Sequence, residues 1–145
     1  MRMILSTLIT LLLLTQTILS IEEKEYPIDK LKEQNQKIIK MVVEEISKKL
    51  PQEVDKYTKM TRVRDENLTL IYTFEINTGA KSDEAVRKDD ETRMEKAISK
   101  GVCQSSKRFL EAGVTLSYEY LSAVSKKELF TFTMTQKKCK ELKYD

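Results

Sequence analysis

The chain has 145 residues, of which 40% are hydrophobic and 34% charged, with a formal net charge of +3. That suits one domain with a modest core and lacks the concentrated positive charge of a nucleic-acid binder. There is no histidine and there are three glycines, which removes the commonest general base and transition-metal ligand and leaves no glycine-rich phosphate loop.

Residues 3 to 19 carry no charge, and Arg2 is the only charge before Glu22. This pattern predicts a secretory signal peptide over residues 1–20, cut near Ser20, ahead of a single exported domain over residues 21–145. The rival reading is an uncleaved membrane anchor. Thr7, Thr10, Thr15, Gln16 and Thr17 dilute the segment for that purpose. No cysteine lies near the cleavage region, so the segment lacks the residue that bacterial lipidation needs. Without residues 1–20 the chain keeps 25 basic and 23 acidic residues.

Residues 28 to 50 predict a helix. Ile28, Leu31, Ile38, Ile39, Val42, Val43, Ile46 and Leu50 mark one broad apolar face, and Pro51 stops it. Tyr57 to Arg64 reads as a weaker strand, followed by a turn at Asp65, Glu66 and Asn67. Leu68, Leu70, Tyr72, Phe74 and Ile76 then alternate with Thr69, Ile71, Thr73 and Glu75, which is a strand signature. Asn67-Leu68-Thr69 fits an N-glycosylation acceptor, but reads more simply as a turn asparagine before a strand.

Ser82 is placed to cap a helix running through Val86, Met94, Ala97 and Ile98. Residues 81 to 96 hold eleven charges. Asp83, Glu84, Asp89, Asp90 and Glu91 lack the spacing of a calcium loop and are interleaved with cations, so a solvated helix face is expected. Gly101 is expected to break or kink the helix before a second piece carrying Cys103, Phe109 and Leu110.

Gly113 follows a helical turn and can end it in the left-handed conformation. Val114, Leu116, Tyr118 and Tyr120 alternate with Thr115, Ser117 and Glu119, and Phe130, Phe132 and Met134 with Leu129, Thr131, Thr133 and Thr135. Two strands of this kind around a turn at Ser122–Lys127 predict a β-hairpin. Pairing Tyr120 with Phe130, Tyr118 with Phe132 and Leu116 with Met134 keeps the apolar face together. The same register sets Ser117 against Thr133 and Thr115 against Thr135. Cys103 and Cys139 are the only cysteines. In an exported protein such a pair is expected to be a disulfide, pinning the hairpin to the preceding helix. The lysines at 137, 138, 140 and 143 read as a solvated tail.

The element order is therefore α-β-β-α(α)-β-β. It predicts a small two-layer α+β domain, an antiparallel sheet of about four strands flanked by helices and held by one disulfide. No GxSxG, P-loop or GxGxxG motif is present. No cofactor and no metal site are implied. Glu75 and Glu119 are the mid-strand carboxylates that a small carboxylate-dependent hydrolase would use.

The segment VCQSSKRFLEAGVTLSYEY, a short turn, and ELFTFTMTQKKC resemble the C-terminal half of β-type pilotins of the type II secretion system. They equally resemble exported bacterial domains of the same size without assigned roles. LPQEVDKYTKMTRVRDENLTLIYTFEIN fits that family's first strand pair, so the resemblance runs from about Leu50 to Cys139. It implies a helix-flanked antiparallel sheet, a Cys103–Cys139 disulfide and a non-enzymatic role. Pilotins bind a short terminal segment of the secretin and escort it to the outer membrane. Pilotins of this kind are lipoproteins, and this chain departs from them in lacking the lipidation cysteine. Fold and disulfide are carried over; the escort activity is not. The sequence reading is thus a non-enzymatic, periplasmic or secreted module for a protein or peptide segment. Its alternatives are a secretin chaperone without a lipid anchor and the hydrolase. No nucleic acid is expected as partner, and a membrane only through an uncleaved N-terminal segment.

Overall fold

Nine elements follow from this pattern in a computed structural model that describes residues 27–144. The expected signal peptide lies outside them. In chain order they are α1 (Ile28–Ser47), β1 (Gln52–Glu53), β2 (Thr58–Glu66), β3 (Thr69–Ile76), α2 (Asp83–Ser105), α3 (Lys107–Glu111), β4 (Thr115–Ser122), β5 (Glu128–Met134) and α4 (Gln136–Glu141). The strands form one five-stranded sheet in the order β1-β2-β3-β4-β5. The α+β class is as expected and the expected elements come in the expected order, but two are added: the short strand β1 makes five strands where about four were expected, and the lysines read as a solvated tail begin as helix α4. The sheet is antiparallel except at its centre, where β3 and β4 run parallel, Thr69 beside Thr115 through Ile76 beside Ser122. A parallel pair needs a long crossover, and α2 with α3 supplies it.

The hairpin register is the expected one: Leu116 opposes Met134, Ser117 opposes Thr133, Tyr118 opposes Phe132 and Tyr120 opposes Phe130. Thr115 and Thr135 do not pair in this ladder, because β5 ends at Met134 and Thr135 turns away to cap α4. Its hydroxyl accepts from the Lys138 amide at 3.1 Å. Two bulges break strict alternation. Thr61 is extra between Met60 and Arg62, so that Met60 and Val63, three residues apart, both pack in the core. Leu129 is extra between Phe130 and Glu128, and it is buried beside Phe130 instead of lying with the threonines.

The helices lie on one sheet face. Ile39 of α1, and Val102 and Cys103 of α2, pack with Val63, Leu70, Leu116 and Met134. Val86 packs with Phe74, Tyr120, Phe130 and Phe132. Only the second half of α1 joins this core. Ile39 is fully buried, whereas Ile28 is 71% exposed and Leu31 44%. Gly101 does not break α2, which continues through it to Ser105; the break falls at Ser106. Gly113 does adopt a left-handed φ of 82° after α3.

Helix α2 is fastened at both ends, to the β4–β5 hairpin at its start and to α4 at its end. At its start Asp83 accepts a hydrogen bond from Ser125, and Arg87 donates to the Glu128 carbonyl at 2.6 Å. At its end Cys103 is bonded to Cys139 of α4, with Cα atoms 5.6 Å apart. Lys138 also reaches Glu95 at 2.8 Å.

Candidate functional site

Because α2 is drawn toward β4 and β5, it does not cover the whole helical face of the sheet. A groove of about 840 Å³ remains between its middle and the β1–β2 connection. Phe74 and Ile76 of β3 and Tyr120 of β4 form the floor. They project to one side because they occupy alternate strand positions in register. The inner wall is Val86, Met94, Ala97 and Ile98, the apolar side of α2 that the helical spacing places together. Ser82 fixes where that helix starts, accepting from the Ala85 amide at 3.2 Å.

The outer lip is residues 54 to 58. Val54 is 56% exposed and Tyr57 58%, so the lip offers apolar surface to solvent. Asp55 shapes it, accepting from the Tyr57 and Thr58 amides at 2.8 and 2.9 Å. These bonds to the ionised form hold its carboxyl below the usual carboxylate range. The Lys56 ammonium lies 5.3 Å from the Tyr57 ring centre.

The floor is stacked and uncharged. Phe74 stacks on Tyr120 at 4.9 Å between ring centres, and Tyr72 on Tyr118 at 5.2 Å. Burial pushes the Tyr120 phenol up to about 12, with the nearby Asp55 charge adding to the effect. Burial raises Tyr72 and Tyr118 as well. These phenols stay neutral. Charge is confined to the rim, where Asp90 pairs with Arg93 at 2.8 Å and faces Lys81 at 3.7 Å. Arg93 holds the Asp90 carboxyl low. The arrangement suits an apolar segment with a polar back.

The carboxylates singled out from the sequence sit elsewhere. Glu75 and Glu119 share the opposite face of the sheet but do not form a pair. Glu119 accepts two hydrogen bonds from the Arg64 guanidinium, at 2.9 and 2.8 Å, and a third from Thr73 at 3.1 Å. Arg64 thereby holds the Glu119 carboxyl below its usual range, the reverse of what a general acid requires. Glu75 is held by Lys126 at 2.8 Å. The acidic residues of α2 are likewise distributed: Asp89 faces Lys81, Glu84 faces Arg87, and Asp83 binds Ser125. Asn67 occupies the β2–β3 turn with φ of 56°. The sequence offered Val86, Met94, Ala97 and Ile98 as a helix face and Phe74 and Tyr120 as strand faces. Nothing in it signalled that the 54–58 segment would stand off from them.

Three solved structures share this fold. A Pseudomonas aeruginosa protein described as secreted superposes with a TM-score of 0.65 at 16% identity, covering 75% of this chain and 96% of its own. The Vibrio vulnificus type 2 secretion system pilotin EpsS superposes with a TM-score of 0.56 at 15% identity, covering 77% and 96%. The Vibrio cholerae type II secretion system pilotin AspS gives 0.58 at 14% identity, covering 77% and 98%. The pilotin resemblance carried by the sequence is therefore a resemblance of fold. No curated protein matches the sequence. A family model does, over residues 33–130, and the chain belongs to that family, described as Domain of unknown function (DUF8479).

Proposed function

We propose that the chain is an exported, non-catalytic binding protein that holds a short amphipathic segment in the α2 groove, in the manner of a pilotin attending a secretin. The observation that carries the reading is the open apolar groove, with its neutral aromatic floor, in a fold shared with two pilotins. An amphipathic helix laid into such a groove buries apolar side chains and leaves its polar back to the rim. On this reading residues 1–20 direct export to the periplasm, residues 21–145 form the working domain, and the disulfide suits that oxidising compartment. The unspecified partner expected from the sequence gives way to a secretin segment, because two of the three structural relatives are pilotins. The hydrolase alternative draws no support from Glu75 and Glu119, each already bound to a cation.

Titration calorimetry of the exported protein against terminal segments of secretins from its own host tests this. Ala97 is exposed and lines the groove, so Ala97→Glu should leave the fold intact and weaken binding about tenfold, the cost of setting a charge against an apolar ligand. Absence of binding to any such segment, or binding indifferent to Ala97→Glu, would overturn the proposal.

A further inference from the structure

The charge of the described residues is not spread evenly. Lys96 and Lys100 of α2, Lys107 and Arg108 of α3, Lys137, Lys138 and Lys140 of α4, and Lys143 beyond it make eight basic residues against three acidic ones, Glu95, Glu111 and Glu141. The other described residues balance, sixteen basic against sixteen acidic. The disulfide joins the last turns of α2 to α4, and α2, α3 and α4 pack on one another, so the elements carrying the basic set are neighbours. Lys107 and Lys140 border the same small hollow, of about 220 Å³, beside the two cysteines.

The three carboxylates at this end are each engaged: Glu95 with Lys138, Glu111 with Lys107 and Glu141 with Lys137. Among the described residues, Lys96, Lys100, Arg108, Lys140 and Lys143 have no carboxylate within ion-pair reach. All five are exposed, and Leu142, 40% exposed, lies between the last two in sequence. None of them lines the groove.

We propose that this disulfide-clamped end docks on an anionic lipid surface. Seven of the eight cations are lysines. Lysine is a compact point charge on a flexible stem, suited to a field of headgroups; a phosphate held in a bidentate grip calls for arginine. The charges are spread over α2, α3, α4 and the residues just after α4, and only Lys107 and Lys140 border the hollow, so they address a surface and not a single bound ion. Each basic residue near an anionic membrane adds to the attraction, and salt screens it. The exposed Leu142 adds an apolar contact in the midst of the charge.

Co-sedimentation with vesicles provides the test. The exported protein should pellet with phosphatidylcholine vesicles that contain about a third phosphatidylglycerol, not with phosphatidylcholine alone, and should be released at about molar salt. A variant with Lys96→Gln, Lys100→Gln, Lys140→Gln and Lys143→Gln should bind about tenfold more weakly or worse. A control with Lys32→Gln, Lys40→Gln, Lys49→Gln and Lys88→Gln removes the same charge from exposed sites elsewhere and should bind as the parent does. Equal loss in both variants would assign the effect to net charge and overturn the proposal. So would failure to pellet with anionic vesicles, including the case in which the protein instead binds polyglutamate, which would assign the patch to acidic proteins. Peptide binding in the groove is read separately, so neither result decides the other.

Discussion

Glu119 organises the outer face of the sheet. Its two oxygens take three hydrogen bonds, two from the Arg64 guanidinium and one from the hydroxyl of the buried Thr73 beneath. Glu119→Ala should destabilise the fold by about 2 kcal/mol, since it strands the Arg64 guanidinium and the Thr73 hydroxyl; partial solvent exposure of the pair keeps the figure near the lower end for charged bonds. The pH dependence has a definite sign. The folded carboxyl titrates below its unfolded value of about 4.3, so the stabilisation is complete above that pH and is lost as pH falls through the folded value. Thermal melts between neutral and acid pH should show a steeper acid loss in the parent than in Glu119→Gln. The two carboxylates were visible in the sequence, but their cations were not. Arg64 lies 55 residues from Glu119, and only the pairing of β2 with β3 and β3 with β4 brings them together.

At the scale of elements, the two glycines that stand out in the sequence have opposite consequences. Gly101 lies inside α2, and a Cβ added there meets nothing within 4 Å. Gly101→Ala should therefore stabilise the protein by about 0.5–1 kcal/mol, through helix propensity. Gly113 has equal room but a φ of 82°, and Gly113→Ala should destabilise it by about 1 kcal/mol. Chemical denaturation of the two variants, with unchanged slope, measures both. Gly101 reads as a break in the sequence because glycine is a poor helix former on its own. The packing of Ser99, Val102 and Cys103 around it overrides that preference. Strand β2 looks weak for a related reason. Its bulge at Thr61 puts Met60 and Val63 on one side, a spacing that no period-two pattern contains. Hairpin β4–β5 was legible from the Leu116–Met134 pair to the Tyr120–Phe130 pair because both faces were patterned and agreed on one register; the loss of the Thr115–Thr135 pair and the bulge at Leu129 were not.

For the whole molecule, the disulfide closes a span of 36 residues that contains all of β4 and β5. Cys103→Ser or Cys139→Ser should lower stability by about 3–4 kcal/mol in the chain-entropy description, read as the shift in the denaturation midpoint of the oxidised parent. Fold class, the order of the main helices and strands and the cysteine pair were accessible from periodicity and composition; β1, α4 and the parallel pairing of β3 with β4 were not. The groove was not, since it arises from how far α2 sits from the 54–58 segment, a distance between elements that no local pattern encodes.

The double fastening of α2 decides which side of that groove can give. The inner wall behaves as a jamb, held to the hairpin by Asp83 and Arg87 at one end and to α4 by a covalent bond at the other. The lip behaves as the door. It hangs from a two-residue strand, from Asp55 and from the Asn77 amide bonded to the Tyr57 carbonyl at 2.8 Å. Ligands of different girth would then be accommodated by residues 54–58 alone. Hydrogen exchange on a bound segment should slow at the Val54, Tyr57 and Thr58 amides while the α2 amides keep their free-state rates. Slowing spread along α2 instead would mean that the jamb moves, and that the two fastenings do not hold the helix as tightly as their geometry implies.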